Sequence, residues 1–152
     1  MIRKMQLKDY PRVLAIAHEG FDKRLMHDLK VSLSFIGTYT YVYEKDGLIV
    51  GYMNLEYVPN NTCHLISGAV DKRYRRQGVF TALFKYVFKL TEGKHLRLEV
   101  KKQNKNAKRL YEQLGFKEVK KRFDTITMTK NWLLFLVIFF INLYKHAINI
   151  MH

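Results

Sequence analysis

Two stretches of this 152-residue chain carry side chains whose types and spacing suit chemistry on an anionic ligand. The first runs Ala69-Val70-Asp71-Lys72-Arg73-Tyr74-Arg75-Arg76-Gln77-Gly78-Val79-Phe80-Thr81-Ala82-Leu83. A β-like run ends, four cationic side chains crowd a turn, and a helical pattern begins at a glycine. The start of a helix exposes unpaired N–H groups and a partial positive charge, so such a turn suits a phosphate. Neighbouring arginines and lysines add charge-assisted hydrogen bonds, and Gly78 lets the backbone approach the anion closely. The spacing matches neither G-x-x-x-x-G-K-S/T nor G-x-G-x-x-G, which sets aside the common nucleotide and dinucleotide loops. On these residues alone, an ordinary surface turn with solvated arginines stays open.

The second stretch is Asn104-Lys105-Asn106-Ala107-Lys108-Arg109-Leu110-Tyr111-Glu112-Gln113-Leu114-Gly115-Phe116. Ala107, Leu110, Tyr111 and Leu114 recur at i, i+3, i+4 and i+7, one apolar face of a helix. Asn104 or Asn106 can cap its start. Gly115 suits the left-handed position after its end, which places Phe116 against Tyr111. Tyr111 is therefore held firmly, either for chemistry or simply as a core tyrosine.

The surrounding pattern supplies elements to position both stretches. Ile2–Gln6 reads as a strand, and Asp9 as the N-cap of a helix bearing Val13, Ile16, Ala17 and Phe21, with Pro11 in its first turn. A weaker helical pattern covers Leu25–Phe35. Thr38–Tyr43 and Leu48–Val58 are strand-like, and Asp46-Gly47 between them signals a hairpin. Cys63–Val70 is a further strand, and Val79, Leu83, Val87 and Leu90 stripe the helix after Gly78. Leu96–Val100, Lys117–Phe123 and Thr125–Thr129 read as the remaining strands. The order βα(α)βββαβαββ predicts an α+β fold with a mostly antiparallel sheet.

Together the two stretches resemble the GNAT acetyltransferase superfamily. Arg75-Arg76-Gln77-Gly78-Val79-Phe80 is similar to that family's R/Q-x-x-G-x-G/A loop, and Asn104 through Phe116 to its N-x-x-A-x-x-L-Y-E-x-x-G-F signature. The resemblance covers about residues 1–130 and implies a mixed, mostly antiparallel sheet of six to seven strands flanked by about four helices. It implies acetyl-CoA as acyl donor, with its pyrophosphate on the amides of Arg76, Gln77, Gly78, Val79, Phe80 and Thr81. Arg75, Asn104, Ala107 and Tyr111 complete the implied cofactor contacts, together with main-chain groups near Ala69 and Val70. Lys72, Arg73 and Lys105 are candidates for the 3′-phosphate. Phe80 and Arg76 depart from the pattern, standing where the family commonly has small residues. A bulky residue at 80 is compatible with the loop if its side chain turns into the core.

By the same resemblance, a neutral primary amine attacks the thioester directly and Tyr111 protonates the departing thiolate. A phenol of pKa about 10 is a competent donor to a thiolate of pKa about 8.5. His64 is a candidate base, alternating with Ile66, Gly68 and Val70 along its strand; Glu56 is the alternative, acting through water. A lone strand histidine is more often structural. Glu19, Asp22 and Asp28 could attract a cationic amine, either a small molecule or a peptide, although solvated helix charges are the commoner explanation. A non-catalytic acyl-CoA-binding or interaction domain is the competing reading.

Composition bounds these readings. The chain is 48% apolar and 14% aromatic, enough for a globular core. Cys63 is the only cysteine, which excludes an internal disulfide framework and a cysteine-rich zinc site and favours a cytoplasmic setting. No metal is expected. The formal charge is +14, and residues 71–122 hold 17 Lys and Arg against 5 Asp and Glu. That asymmetry points to an anionic partner for this third of the chain. No recognition-helix or RNA-binding motif appears and the aromatic residues lie on apolar stripes, so the expectation is a polyanionic cofactor and no nucleic acid. A homodimer stays open.

Residues 131–152 form a hydrophobic tail beyond the acetyltransferase pattern, with ten consecutive apolar residues from Trp132 to Ile141. This is short for a membrane span. A membrane contact through 132–144 is the least favoured reading. The others are a helix packed on the domain or on a dimer partner, and a non-native extension of the kind that AT-rich sequence yields past a lost stop codon.

Overall fold

In a computed structural model, residues 1–19 and 38–131 are described, and the chain divides into two compact units, Met1–Thr91 and Glu92–His152. The first unit holds β1 (Ile2–Lys4), α1 (Tyr10–His18), β2 (Thr38–Lys45), β3 (Leu48–Val58), β4 (Thr62–Val70) and α2 (Val79–Leu90). The second holds β5 (His95–Lys101), α3 (Lys105–Gln113), β6 (Lys117–Lys121) and β7 (Thr125–Lys130). Seven strands and three α-helices among the described residues make the fold α+β, as the element pattern predicts. The expected helix over 25–35, Asp22, Asp28 and the tail from Trp132 onward lie outside the described residues.

β1 to β4 are consecutive antiparallel neighbours. The β2–β3 turn is the one signalled by sequence: Lys45 faces Leu48, and Asp46 and Gly47 both have positive φ, at 50° and 74°. That two-residue turn matches the right-handed twist of its strands. Val13, Ile16 and Ala17 of α1 pack with Val42, Ile49 and Tyr52 of the sheet. Asp9 stands at the N-cap position, but its side chain makes no cap bond to α1. Its carboxylate instead accepts from Arg3 at 2.6 and 3.0 Å and from the Gln6 N–H at 2.8 Å, closing the short 3₁₀ turn Leu7–Asp9.

α2 buries Val79, Leu83, Phe84 and Val87. The stripe read from sequence is thus rotated slightly at its end, where Leu90 is 45% exposed and Phe84 is inside. α2 approaches β3 closely because residue 51 is glycine. A Cβ there would lie 2.9 Å from Val79 Cγ1, 3.3 Å from the Ala69 carbonyl oxygen and 3.3 Å from Leu83 Cδ1. Gly51 therefore seats the first turn of α2 against the end of the sheet.

In the second unit β7 pairs with both β5 and β6, all antiparallel. Leu96, Leu98 and Val100 of β5 share a face with Met128 and Ile126 of β7, and all five are buried.

Gly51→Ala should destabilise the protein by roughly 1–3 kcal/mol, the cost of overpacking where a backbone oxygen limits relief. Urea unfolding measures this, with an unchanged slope marking a pure packing effect.

Candidate active site

The turn read from sequence as a candidate anion site starts where β4 ends, and one buried carboxylate organises it. Asp71 is fully buried. Its Oδ1 accepts the Arg73 N–H at 2.9 Å, closing the 3₁₀ turn Lys72–Tyr74, and the Arg73 guanidinium reaches it through Nη2 at 2.8 Å and Nε at 3.2 Å. The Arg12 guanidinium of α1 donates to Asp71 Oδ2 as well. The Asp71 main chain is also held: its N–H donates to Val50 O at 2.9 Å and its carbonyl accepts from Tyr74 N at 2.9 Å. Hydrogen bonds from Arg73, and then from Arg12, hold the Asp71 carboxyl far below the usual carboxylate range.

Beyond Tyr74 the backbone alternates. Arg76 has φ 61° and Gly78 φ 77°, both left-handed, on either side of Gln77. Chains curled this way turn successive N–H groups toward a common centre, a recurrent anion-binding shape. Gly78 is the N-cap residue of α2, and the first turn of a helix leaves its N–H groups outside the helical ladder. The six residues expected to hold pyrophosphate, Arg76 to Thr81, lie on this turn or on the first turn of α2, and Arg75 precedes them on it. Arg75 Nε donates to Val70 O at 3.0 Å, and Gln77 Nε2 to Arg73 O at 3.0 Å, so both side chains brace the turn. Arg73 is engaged by Asp71, whereas Lys72 and Arg76 form no ion pair among the described residues. Glu19, read from sequence as an acceptor-side charge, instead accepts the Lys72 N–H at 2.9 Å.

Phe80 is half-buried, packed on the sheet and outside the buried core, so it does not turn inward as its size would require. A Cβ placed on Gly68 would lie 3.1 Å from Phe80 Cε2, so the ring packs on β4 against the one residue that leaves room for it.

β4 carries a bulge with no signature in the sequence. Asn54 pairs with Ser67, but Leu55 pairs with Leu65, leaving Ile66 as the extra residue. This changes the reading of His64. Strict alternation would align it with Gly68 and Val70; the bulge reverses that parity and sets His64 directly opposite Glu56. Directly opposed residues have Cβ atoms about 5 Å apart, so the two base candidates are neighbours. Cys63 is buried, as a small core residue would be.

The second unit holds the other stretch. Asn104 Oδ1 accepts the Ala107 N–H at 3.1 Å, capping α3. At the far end Gly115 has φ 89°, its N–H donates to Glu112 O, and Phe116 N–H donates to Tyr111 O, each at 2.9 Å. This is the Schellman closure expected from the sequence, and the Phe116 ring meets Tyr111 edge-on at 5.7 Å. Burial raises the Tyr111 phenol to about 12.

Two outcomes are expected. Arg76→Gly should raise stability by up to about 1 kcal/mol in urea unfolding, since a left-handed non-glycine residue costs about 1–2 kcal/mol and glycine returns part as chain entropy. For Asp71 and Asp9 the folded-state values lie below the unfolded ones, so their stabilisation is complete above about pH 5 and is lost as the pH falls further. Acid titration of the unfolding free energy should show that limb, and Asp71→Asn should flatten it.

Comparison with known proteins agrees with this geometry. The model of the acetyltransferase (GNAT) family matches residues 2–116. The chain is 35% identical over 127 residues to an uncharacterised N-acetyltransferase of Methanocaldococcus jannaschii, covering 79% of this chain and 80% of that one. The ribosomal-protein-S18-alanine N-acetyltransferase from Escherichia coli superposes with a TM-score of 0.75 at 25% identity, over 86% of this chain and 92% of that one. The PaiA N-acetyltransferase from Thermoplasma acidophilum, solved in complex with coenzyme A, shares the fold with a TM-score of 0.72 at 17% identity, over 86% and 98% of the two chains. The turn leading into α2, the capped α3 and these likenesses converge: the chain belongs to the GNAT acetyltransferase family and is an acetyltransferase enzyme.

Proposed function

We propose that this enzyme is an acetyl-CoA-dependent N-acetyltransferase that acts by direct transfer to a primary amine. The observation that carries the reading is the turn from Arg75 to Thr81, with left-handed residues at 76 and 78 leading into α2. The turn suits a pyrophosphate, and the solved PaiA relative was crystallised with coenzyme A. Tyr111, held on α3 against Phe116, favours catalysis over a non-catalytic acyl-CoA-binding domain. For the acceptor we favour the α-amino group of a polypeptide, because the Escherichia coli relative is named for an alanine of a ribosomal protein. The location we assign is cytoplasmic. Among the described residues no helix is long and apolar enough to cross a membrane. We keep residues 1–130 as the catalytic domain and 131–152 as a tail outside it.

In this reading the acceptor nitrogen attacks the thioester carbonyl, the C–S bond breaks, and the sulfur leaves as thiolate. Main-chain N–H groups near Ala69 and Val70 stabilise the oxyanion. Tyr111 donates its phenolic proton to the sulfur. Its raised value keeps that proton in place at every working pH, at the cost of a weaker acid than a solvated phenol. Proton removal from the amine falls to Glu56 or His64, which face each other across β3 and β4.

Tyr111→Phe should lower kcat by about a hundred-fold or more while the acetyl-CoA KM changes less than about two-fold. Unchanged turnover would leave Tyr111 with a packing role alone. Because the phenol titrates near 12, the wild-type rate should not fall on the alkaline side below about pH 10. A pH–rate profile with a fixed amine checks this.

A further inference from the structure

Two acidic side chains touch a turn built for anions. Asp71 lies inside it, and Glu19 accepts its Lys72 N–H at 2.9 Å and stands 3.8 Å from the Arg75 guanidinium. In a turn meant to attract phosphate these charges work against affinity unless they serve its shape. The geometry points to the second role. Arg12 on α1 and Glu19 at its C-cap are seven residues apart, two helical turns, and so project from one face. That face is not the core face, which is carried by Val13, Ile16 and Ala17. Glu19 holds the turn at the Lys72 amide. Arg12 holds the Asp71 carboxylate, and through Nε it donates to Ile49 O at 3.0 Å on the neighbouring strand. Asp71 in turn fixes the Arg73 amide and guanidinium from which the chain proceeds to Arg75 and Arg76.

We propose that Arg12, acting through Asp71, is a positioning residue for the acyl-donor site, with α1 serving as the splint on which the anion-binding turn is aligned. Arg12 touches no substrate in this assignment. Its guanidinium orients a buried carboxylate that would otherwise answer to Arg73 alone, and Arg73 is 62% exposed and anchored only within the turn itself. Losing Arg12 removes the side-chain link from Asp71 to α1 and to Ile49 while leaving the turn's own cations in place. The cost should therefore appear in donor binding and not in the chemical step. The proposal rests on the reading that this turn binds the donor's pyrophosphate.

The test uses the full chain with Arg12→Ala and Arg12→Lys beside the wild type, and measures CoA and pantetheine affinity by calorimetry together with KM for acetyl-CoA, KM for the amine and kcat. Arg12→Ala should raise the CoA dissociation constant and the acetyl-CoA KM about ten-fold, with the amine KM and kcat at saturating donor within about two-fold. Arg12→Lys should recover part of that loss, because a cation still reaches Asp71 but without the two-pronged hold. An unchanged acetyl-CoA KM in Arg12→Ala, or equal losses in donor KM, amine KM and kcat, would overturn the proposal. If Arg12→Ala does not fold, Arg12→Lys decides: a donor-selective loss supports positioning, and wild-type donor affinity overturns it. Wild-type affinity for CoA and for pantetheine, which lacks the pyrophosphate, separates the two levels. If pantetheine binds as tightly as CoA, the pyrophosphate reading of the turn fails; if CoA binds more tightly and Arg12→Ala does not weaken it, only the positioning role fails.

Discussion

The ion cluster at Asp71 is the constraint on which the first unit is arranged. A buried carboxylate costs several kcal/mol in desolvation, and removing one partner of such a pair typically costs about 3–5 kcal/mol. Asp71 is compatible with burial only because two guanidiniums, a backbone amide and its own main-chain bonds to Val50 and Tyr74 surround it. Each of those partners comes from a different place: Arg12 from α1, Arg73 from the turn, Val50 from β3. The end of β4, the start of the turn and the face of α1 are thereby brought to one point, and α2 follows from it in a set direction. Gly51 completes the arrangement by letting Val79 rest directly on β3.

The same logic of small residue against large recurs at Phe80 and Gly68. A family position usually occupied by glycine or alanine carries a phenyl ring here, and the strand residue beneath that ring has no side chain. Volume is moved from one partner to the other, so the loop keeps its backbone path. Arg76 is the opposite case. Its left-handed backbone is one that glycine adopts freely, and a long cationic side chain occupies it at a cost in strain. Such strain is commonly found where function selects the side chain.

The second unit is built on local rules. Asn104 caps α3, Gly115 and Phe116 close it, and Tyr111 is held between backbone and ring contacts that lie within a dozen residues of chain. The phenol is consequently set in its surroundings by the helix itself. Burial then raises its pKa to about 12, which keeps the proton in place and makes its release dependent on what accepts it.

The amino-acid sequence by itself determined these local features: the Asp-Gly hairpin, the Schellman end of α3, the glycine start of α2 and the two stretches that mark the family. All depend on backbone preferences and spacings within one or two helical turns, which neighbouring residues express without help from the rest of the chain. The bulge at Ile66 was not legible, because an inserted strand residue leaves no residue type behind; it shows only in the register with β3, and it moved His64 from the Gly68 face to a place opposite Glu56. Glu19 read as a helix charge and Arg12 carried no signal, because their partners, Lys72 and Asp71, are more than fifty residues away. Only the tertiary structure decided which acid and which base meet, since a charge is read locally but its pairing depends on what the fold brings within 3 Å.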